Sequence, residues 1–317
     1  MDFAEDGKTA TDHGPKTMTN IHQAQFLADF TIEQATNAHK AGKPFFIHTT
    51  PVMPHWGTCI GPEPPAPGYP PYDPHWEMGG LVDPLTGRAA KLPISPCPSH
   101  KNRHNFDGQT NKHIASWNVS ASGVVPDWMQ NKPLDSWDEW REDIGWQNRS
   151  AACVDLDDLI DAVFDGFESM GVLDNTYVFF SSDNGYHLGE HKLIFGKGEP
   201  YEPSVRLPMY VRGPGVPQGV ISKLPTTHLD ITATILELTG TTDGPATPSN
   251  LDGLSFAPAL KDTAAASKLR DTPELWRDFS FSEFFMNDVT WCKWWESELH
   301  SSKSVSNDRA DRERSHG

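Results

Sequence analysis

The feature that most constrains the fold is a short hydrophobic run that ends in a cluster of small polar residues. Residues 177–180 are Tyr-Val-Phe-Phe, an unbroken apolar and aromatic run that is typical of a β-strand buried on both faces. The next residues, 181–185, are Ser-Ser-Asp-Asn-Gly, which favour a turn. In α/β sheets, ligands bind just beyond the carboxyl ends of the strands. Asp183 and Asn184 are therefore predicted to occupy a ligand-binding position.

Helical and strand-like segments alternate along the rest of the chain. Apolar periodicity predicts helices at residues 20–39 and 151–170, which Gly42 and Gly171 end. The other predicted elements are strands at 44–50, 207–212 and 279–285, and a helix that Thr227 or Asp230 caps and that runs to Leu238. This alternation predicts an α/β fold with a mostly parallel sheet and helices on both faces.

The composition excludes some classes of function. The chain has 26 Lys and Arg against 43 Asp and Glu, a formal net charge of −17, whereas nucleic-acid binding needs a basic surface. No apolar run reaches the roughly 18 residues of a membrane helix, and the first residues lack the basic and apolar parts of a signal peptide. The four cysteines form no C-x-x-C pair, which argues against a zinc site.

Several spaced motifs resemble the C-terminal half of the sulfatase family, which belongs to the alkaline phosphatase superfamily. They are D-N-G at 183–185, L-G-E-H at 188–191, G-K-G-E-P-Y-E-P-S-V-R-L-P at 196–208 and V-R-G-P-G at 211–215. The pattern is most similar to the arylsulfatase and N-acetylglucosamine-6-sulfatase members. The resemblance implies an alkaline-phosphatase-like fold and hydrolysis of aryl or sugar sulfate esters, with a sulfated small molecule or sulfated glycan as partner.

The resemblance also implies roles for the polar residues of this loop. Asp183 and Asn184 would bind a divalent metal, usually calcium, and their hard oxygens also suit magnesium. The alternative is that both side chains close a turn through their own backbone. Lys197 would contact the sulfate and neutralise charge in the transition state. Its alternative is the ordinary state of a lysine, a solvated surface side chain.

Several histidines are further candidates. His55, in Met-Pro-His-Trp, resembles the A-P-H-x-P element whose histidine donates to the sulfate ester oxygen, a proton-transfer role that suits an imidazole. A loop histidine with structural hydrogen bonds is the alternative. His187 and His191 would line the substrate pocket or support the metal ligands from behind, or else only tie the loop together. His113 lies in a segment that resembles the substrate-side loops of glycosaminoglycan sulfatases.

The sequence lacks the family's nucleophile motif. Sulfatases make a formylglycine from the Cys or Ser of C/S-x-P-S-R, and its hydrate attacks sulfur. Cys97-Pro-Ser99 has no residue between Cys and Pro and no Arg after Ser, and it follows the His55 element instead of preceding it. The family's paired aspartates are missing as well. We therefore expect a fold that is incomplete at the N terminus and at the C terminus, weak metal binding, and little or no turnover by this chain.

The resemblance predicts the following domain organisation. Residues 1–18 form a disordered leader, 19–260 a partial sulfatase catalytic domain with a long Pro- and Gly-rich excursion at 56–110, 261–298 a C-terminal remnant, and 299–317 a disordered tail. Family members are usually secreted or lysosomal, and in a secreted chain Asn118-Val-Ser and Asn148-Arg-Ser would accept N-glycans.

Two other functions remain open from the sequence. One is a sulfatase-like protein that binds sulfated glycans without catalysis. The other is a phosphodiesterase or phosphomutase of the same superfamily, although the G-K-x-x-x-Y-E motif favours a sulfatase.

Overall fold

A computed structural model describes most of the chain between residues 22 and 277. The described ranges are 2–5, 9–12, 22–55, 81–82, 89–90, 98–99, 101–120, 132–193, 196–197, 200–241, 251–272 and 276–277. Apart from residues 200–201, they belong to one compact unit. The predicted strand at 279–285, most of the predicted excursion and the predicted tail lie outside the described residues.

The described residues contain short strands and helices of very different length. The helices are α1 (Gln23–Lys40), α2 (Ser136–Ser169), α3 (Glu202–Val205), α4 (His228–Leu238), α5 (Ala257–Lys261) and α6 (Thr263–Arg270), with a 3-10 turn at Leu173–Asn175. The strands are β1 (Asp2–Glu5), β2 (Thr9–Asp12), β3 (Leu81–Val82), β4 (Ala89–Ala90), β5 (Val178–Ser181) and β6 (Met209–Arg212). They pair as β1–β2, β3–β4 and β5–β6.

The first hydrophobic core lies between α1 and α2. Small residues of α1, among them Ala24 and Ala28, are buried and let α2 come close. At Gly166 of α2 the approach is so close that a Cβ atom would lie 2.9 Å from Cγ1 of Ile32. The prediction of a helix at residues 20–39 is confirmed, with its start at Gln23 after the capping residue His22.

Helix α2 begins at Ser136, whereas the sequence predicted a start at residue 151. Asp135 and Asp138 cap this start reciprocally, because each carboxylate accepts a hydrogen bond from the main-chain N–H of the other. Hydrophobic periodicity missed the first turns because their buried face is polar and includes Arg141, Glu142 and Asn148. A pattern search for apolar residues cannot detect such a face.

Residues 43–50 are extended but form no strand, which corrects the predicted strand at 44–50. Alternate side chains are partly covered, and the ring of Phe45 lies 5.4 Å from the ring of Phe167 on α2. The intervening Phe46 is 74% exposed. A strand needs a hydrogen-bonded neighbour, and the described residues supply none for this segment. The segment is therefore covered on one face only and is not a buried strand.

The strand that precedes the candidate site pairs with the strand that follows it. Val178 of β5 lies opposite Arg212 of β6, and Ser181 lies opposite Met209. This ladder is antiparallel, as are the other two ladders among the described strands, so the predicted parallel pairing is not seen there. The connection from β5 to β6 is the motif-rich loop with the short α3, and not the long helical crossover that a parallel pair requires.

A second core lies under this strand pair. Its buried members are Leu224, Phe256 and Trp276, and Phe179 of β5 and Met209 of β6 pack against them. This packing fixes the positions of β5 and β6, so the two ends of the loop that connects them are fixed as well.

Two predicted irregular segments contain short strands. Residues 2–5 and 9–12 form the β1–β2 pair inside the predicted disordered leader, and their Phe and Thr residues favour extended backbone. Strands β3 and β4 lie inside the predicted excursion.

The helices in the described part of the chain were also compared with the length and hydropathy of a membrane span. None of them meets both requirements.

Candidate functional site

The loop after β5 brings three of the predicted site residues together. The Nζ atom of Lys197 donates a hydrogen bond to Oδ1 of Asn184 at 2.9 Å. Asp183 is exposed, and its Oδ1 accepts a hydrogen bond from the main-chain N–H of Asn184 at 2.8 Å. A carboxylate, an amide and an ammonium group thus form one exposed polar group, which we call the Asp183 cluster (Asp183, Asn184 and Lys197). Asp183 also makes the local backbone contact that its turn-closing alternative predicts.

The first turn of α3 fixes the backbone just after this cluster. The N–H of Gly185 donates to the carbonyl of Ser204 at 2.8 Å, and the N–H of Tyr186 donates to the carbonyl of Pro203 at 2.8 Å. A Cβ atom at Gly185 would lie 1.9 Å from the oxygen of Pro203. Since that oxygen belongs to the main chain and cannot rotate away, only glycine fits here.

His187 ties the other side of the loop. Its main-chain N–H donates to the carbonyl of Gly196 at 2.9 Å, and the N–H of Gly196 donates back at 3.1 Å, which sets the position of the adjacent Lys197. The His187 side chain is 3% exposed, and its Nδ1 lies 3.4 Å from Oγ of Ser204. The structure thus buries the His187 side chain beside α3 and pairs its backbone with Gly196, while its role in substrate binding stays a prediction.

His55 is connected to this loop through a residue that sequence reasoning missed. His55 is half-buried at the end of a turn, and its N–H donates to the carbonyl of Val52 at 2.8 Å. The preceding carbonyl, that of Pro54, accepts a hydrogen bond from Nη1 of Arg149 at 2.7 Å. The guanidinium carbon of Arg149 also lies 3.7 Å from the ring centroid of Tyr186, two residues after Asn184.

Burial shifts the pKa values of both Tyr186 and Arg149, whose side chains stack on each other. It raises the pKa of Tyr186 to about 12, although the positive charge of Arg149 acts in the opposite direction. Burial also lowers the pKa of Arg149, with the nearby Tyr186 as a smaller, opposing influence. The Tyr186 hydroxyl oxygen is buried and has no hydrogen-bond partner among the described residues.

Replacing this tyrosine by phenylalanine should not weaken the fold. Tyr186→Phe keeps the ring under Arg149 and removes a buried hydroxyl without a partner, so we expect the free energy of unfolding to stay unchanged or to rise by about 1 kcal/mol. Urea denaturation measures this. The matched control is Tyr177→Phe, because the Tyr177 hydroxyl donates to the carbonyl of Pro214 at 2.8 Å. The control should lose about 1 kcal/mol, and an equal loss in Tyr186→Phe would contradict the expectation.

The segment that contains His113 lies against the far end of the loop. The rings of His113 and Trp117 stack at 3.5 Å between centroids. The N–H of His191 donates to the carbonyl of Ser116 at 2.8 Å, and the backbone φ of His191 is 54°, in the left-handed region. The structure therefore brings together two segments that the sequence proposed separately as substrate-side candidates.

The segment that resembles a nucleophile motif has a structural role. Ser99 donates to the carboxylate of Asp155 on α2 through its main-chain N–H and its hydroxyl, and Asn102 donates to it at 2.8 Å. Asp155 is 2% exposed and these bonds satisfy its oxygens. Next to it, a hydrogen bond from Lys101 lowers the pKa of Asp158. These contacts anchor Ser99, Lys101 and Asn102 on α2.

The described residues supply only part of a calcium shell. Asp183 and Asn184 offer hard oxygens, but Oδ1 of Asn184 already accepts from Lys197. Within the described ranges no group of three or more His, Cys, Asp or Glu side chains could hold a metal ion. Calcium takes about six to eight oxygens, so these two residues do not fit it by themselves.

The two predicted glycosylation acceptors are both engaged. Asn148 lies within α2 and is 3% exposed, so the folded helix has no room for a glycan there. The side-chain amide of Asn118 donates to the carbonyl of Leu134 and accepts from its N–H. The prediction of a glycan on Asn148 is therefore corrected by the burial of that side chain.

The fold and the loop define an α/β protein of the alkaline-phosphatase-like class. A solved phosphonate monoester hydrolase from Silicibacter pomeroyi matches with a TM-score of 0.52 at 21% identity, over 90% of this chain and 49% of that chain. This likeness shows the fold alone. The chain belongs to the sulfatase family, because the family model described as Sulfatase matches residues 5–241.

Curated relatives agree with this family. Sulfatase ppz1 of Metarhizium majus is 34% identical over 69% of this chain and 45% of its own length. The N-acetylglucosamine-6-sulfatase of Bos taurus is 34% identical over 52% of this chain and 26% of its own length. The chain thus spans less than half the length of the curated relatives it matches. The predicted family and the alkaline-phosphatase-like fold are confirmed, and the two alternative functions are not favoured.

Proposed function

We propose that the whole protein hydrolyses sulfate esters and that the Asp183 cluster is part of its sulfate-binding site. One observation carries the proposal. In a chain of the sulfatase family, the Lys197 ammonium lies 2.9 Å from Oδ1 of Asn184, directly beyond strand β5. This is the edge of the sheet where α/β proteins bind ligands.

Two side chains have roles in the proposed chemistry. Lys197 is exposed and positively charged in a chain of net charge −17, so it supplies the local attraction that an anionic sulfate needs. During hydrolysis it would stabilise the negative charge that grows on the sulfate oxygens. His55 would donate a proton to the departing alkoxide, which an imidazole can do near neutral pH.

The proposed site also includes a divalent metal ion and a formylglycine nucleophile. Asp183 and Asn184 are proposed as two oxygen ligands of calcium or magnesium, and the remaining ligands would come from outside the described residues. When bound, such a cation withdraws charge from the sulfate. The nucleophile of the proposed reaction is a formylglycine, for which this sequence has no C/S-x-P-S-R acceptor motif.

The substrate class follows from chemistry and from the relatives. The ammonium of Lys197 and the amide of Asn184 can attract a sulfate group by charge and by hydrogen bonds, and neither group selects the alcohol that carries the sulfate. Relatives named arylsulfatase and N-acetylglucosamine-6-sulfatase support aryl sulfates and sulfated sugars as the two substrate classes.

The proposal is tested with 4-nitrophenyl sulfate, through binding by calorimetry and through release of nitrophenol. We expect measurable binding of the ester and turnover close to the uncatalysed rate, because the acceptor motif for the nucleophile is missing. The matched control ligand is 4-nitrophenyl acetate, which lacks the anionic group and should not bind. Rapid hydrolysis by this chain would contradict the proposed nucleophile, and absence of binding would contradict the sulfate site.

A further inference from the structure

We propose that Arg149 is a positioning residue, which holds the His55 turn and the Asp183 cluster in one fixed arrangement. The inference rests on the proposed function only for the ligand that the two segments would share. Arg149 itself touches neither His55 nor the cluster through any described contact, so it would act on both through their neighbours.

Arg149 contacts the two segments through two different parts of its guanidinium group. One edge donates through Nη1 to the carbonyl of Pro54 at 2.7 Å, immediately before His55. One face covers the ring of Tyr186 at 3.7 Å, two residues after Asn184. A planar guanidinium can make an edge contact and a face contact at once, whereas an ammonium group is a point charge that cannot stack. The residue type therefore suits the connection of two separate segments.

The helix that carries Arg149 supports the loop at other points as well. Glu142, Gly145 and Arg149 follow each other at intervals of three and four residues, so they share one face of α2. Glu142 is fully buried, and its negative charge is close enough to contribute to the raised pKa of Tyr186. A Cβ atom at Gly145 would lie 3.9 Å from Leu188. A long helix is a rigid base for such contacts, and the two contacts of the half-buried Arg149 side chain restrict its movement.

The test compares Arg149→Met and Arg149→Lys with a matched control, Arg212→Met. Arg212 also donates through Nη1 to a main-chain carbonyl, that of Leu173 at 2.7 Å, and its guanidinium carbon lies 5.8 Å from the ring centroid of Phe164. It joins β6 to the 3-10 turn and contacts neither the His55 turn nor the loop in any described interaction. Amide hydrogen exchange, read residue by residue by NMR, is the measurement.

We expect Arg149→Met to loosen both segments together. The amides of His55 and Tyr186 donate to the carbonyls of Val52 and Pro203, and each should exchange at least about tenfold faster. In the unaltered protein, local opening of either segment must also break a contact with Arg149, and the variant removes that cost. Amides in α1 should keep their exchange rates. Arg149→Lys, which keeps a donor and a charge, should give an intermediate increase. Faster exchange in only one segment, in neither, or equally throughout the chain would overturn the proposal, as would the same pattern in Arg212→Met.

A second measurement separates this proposal from the proposed function. Titration with inorganic sulfate should show an affinity about tenfold weaker in Arg149→Met and unchanged in Arg212→Met, because small displacements of binding groups are costly. An unchanged sulfate affinity in Arg149→Met would overturn the positioning role. If the unaltered protein binds no sulfate at all, the proposed function fails, while the exchange rates still decide the role of Arg149.

Discussion

Gly185→Ala should disrupt the Asp183 cluster and lower the affinity for sulfate by about ten- to a hundredfold. The added Cβ atom would lie 1.9 Å from the oxygen of Pro203 and 3.1 Å from the carbonyl carbon of Ser204, both main-chain atoms. The loop can relieve this clash only by moving away from α3 by about 1 Å, a displacement that can cost on the order of a hundredfold in function. The hydrogen bond between the N–H of Gly185 and Ser204 would be lost in the process.

Two measurements check this result, together with a matched glycine. Sulfate titration gives the affinity, and amide exchange at Tyr186 and His187 reports whether the loop has left α3. The control is Gly145→Ala, where the nearest atom to the new Cβ is Leu188 Cδ2 at 3.9 Å, an ordinary contact. In a helix this change should stabilise the chain by about 0.5–1 kcal/mol. Normal loop protection in Gly185→Ala would show that the backbone does not exclude a side chain there.

Asp230→Ala should lower the free energy of unfolding by about 3–5 kcal/mol, the largest loss of stability that we expect from one substitution. The Asp230 side chain is fully buried at the start of α4. It accepts hydrogen bonds from Arg277 at 2.7 and 2.8 Å, from the N–H of Leu254 at 2.8 Å and from the N–H of Thr227 at 2.8 Å. Without it, a cation that is mostly buried and two main-chain donors lose their acceptor.

The matched control for this prediction is another aspartate that caps a helix. Asp262 is exposed, and its Oδ1 accepts from the N–H of Ala264 at 2.8 Å at the start of α6. Asp262→Ala should cost about 1 kcal/mol, the ordinary effect of losing a helix cap. Urea denaturation measures both variants. Similar losses in the two would mean that Asp230 acts only as a cap and that its contacts with Arg277 and Leu254 contribute nothing.

Local sequence patterns predicted the parts of the fold in which one residue determines the backbone. Gly42 and Gly171 have φ values of 63° and 69°, and each follows the helix that it was expected to end. The start of α4 was also predicted, with Thr227 and Asp230 as candidate capping residues, and the structure uses both. The proximity of Lys197 to Asn184 came from family resemblance and not from spacing, because two loop residues thirteen positions apart need not lie close together.

The parts that the sequence missed depend on contacts between distant segments. In the sequence, Arg149 stood out only as the middle residue of a predicted N-glycosylation tripeptide. In the structure it contacts Pro54 and Tyr186, which lie far from it along the chain. The buried face that contains Glu142 and Asn148 is polar, so hydrophobic periodicity gave no signal for it or for the adjacent, half-buried Arg149. The Pro44–Thr50 segment shows the opposite error, because its apolar residues read as a buried strand while Phe46 is exposed. In each case, tertiary packing decides what local preference cannot.

Calorimetric titration with inorganic sulfate, applied to Lys197→Met, tests most directly whether the Asp183 cluster binds sulfate. This change keeps most of the apolar stem and removes the ammonium that donates to Asn184. A hydrogen bond between charged groups contributes about 1.5–3 kcal/mol, so the affinity should fall by roughly ten- to a hundredfold. The control is Lys192→Met, a half-buried lysine of the same loop that makes no described contact with the cluster, so the affinity should stay within about twofold. Equal affinities in the unaltered protein and Lys197→Met, or equal losses in both variants, would contradict a sulfate site built around Lys197.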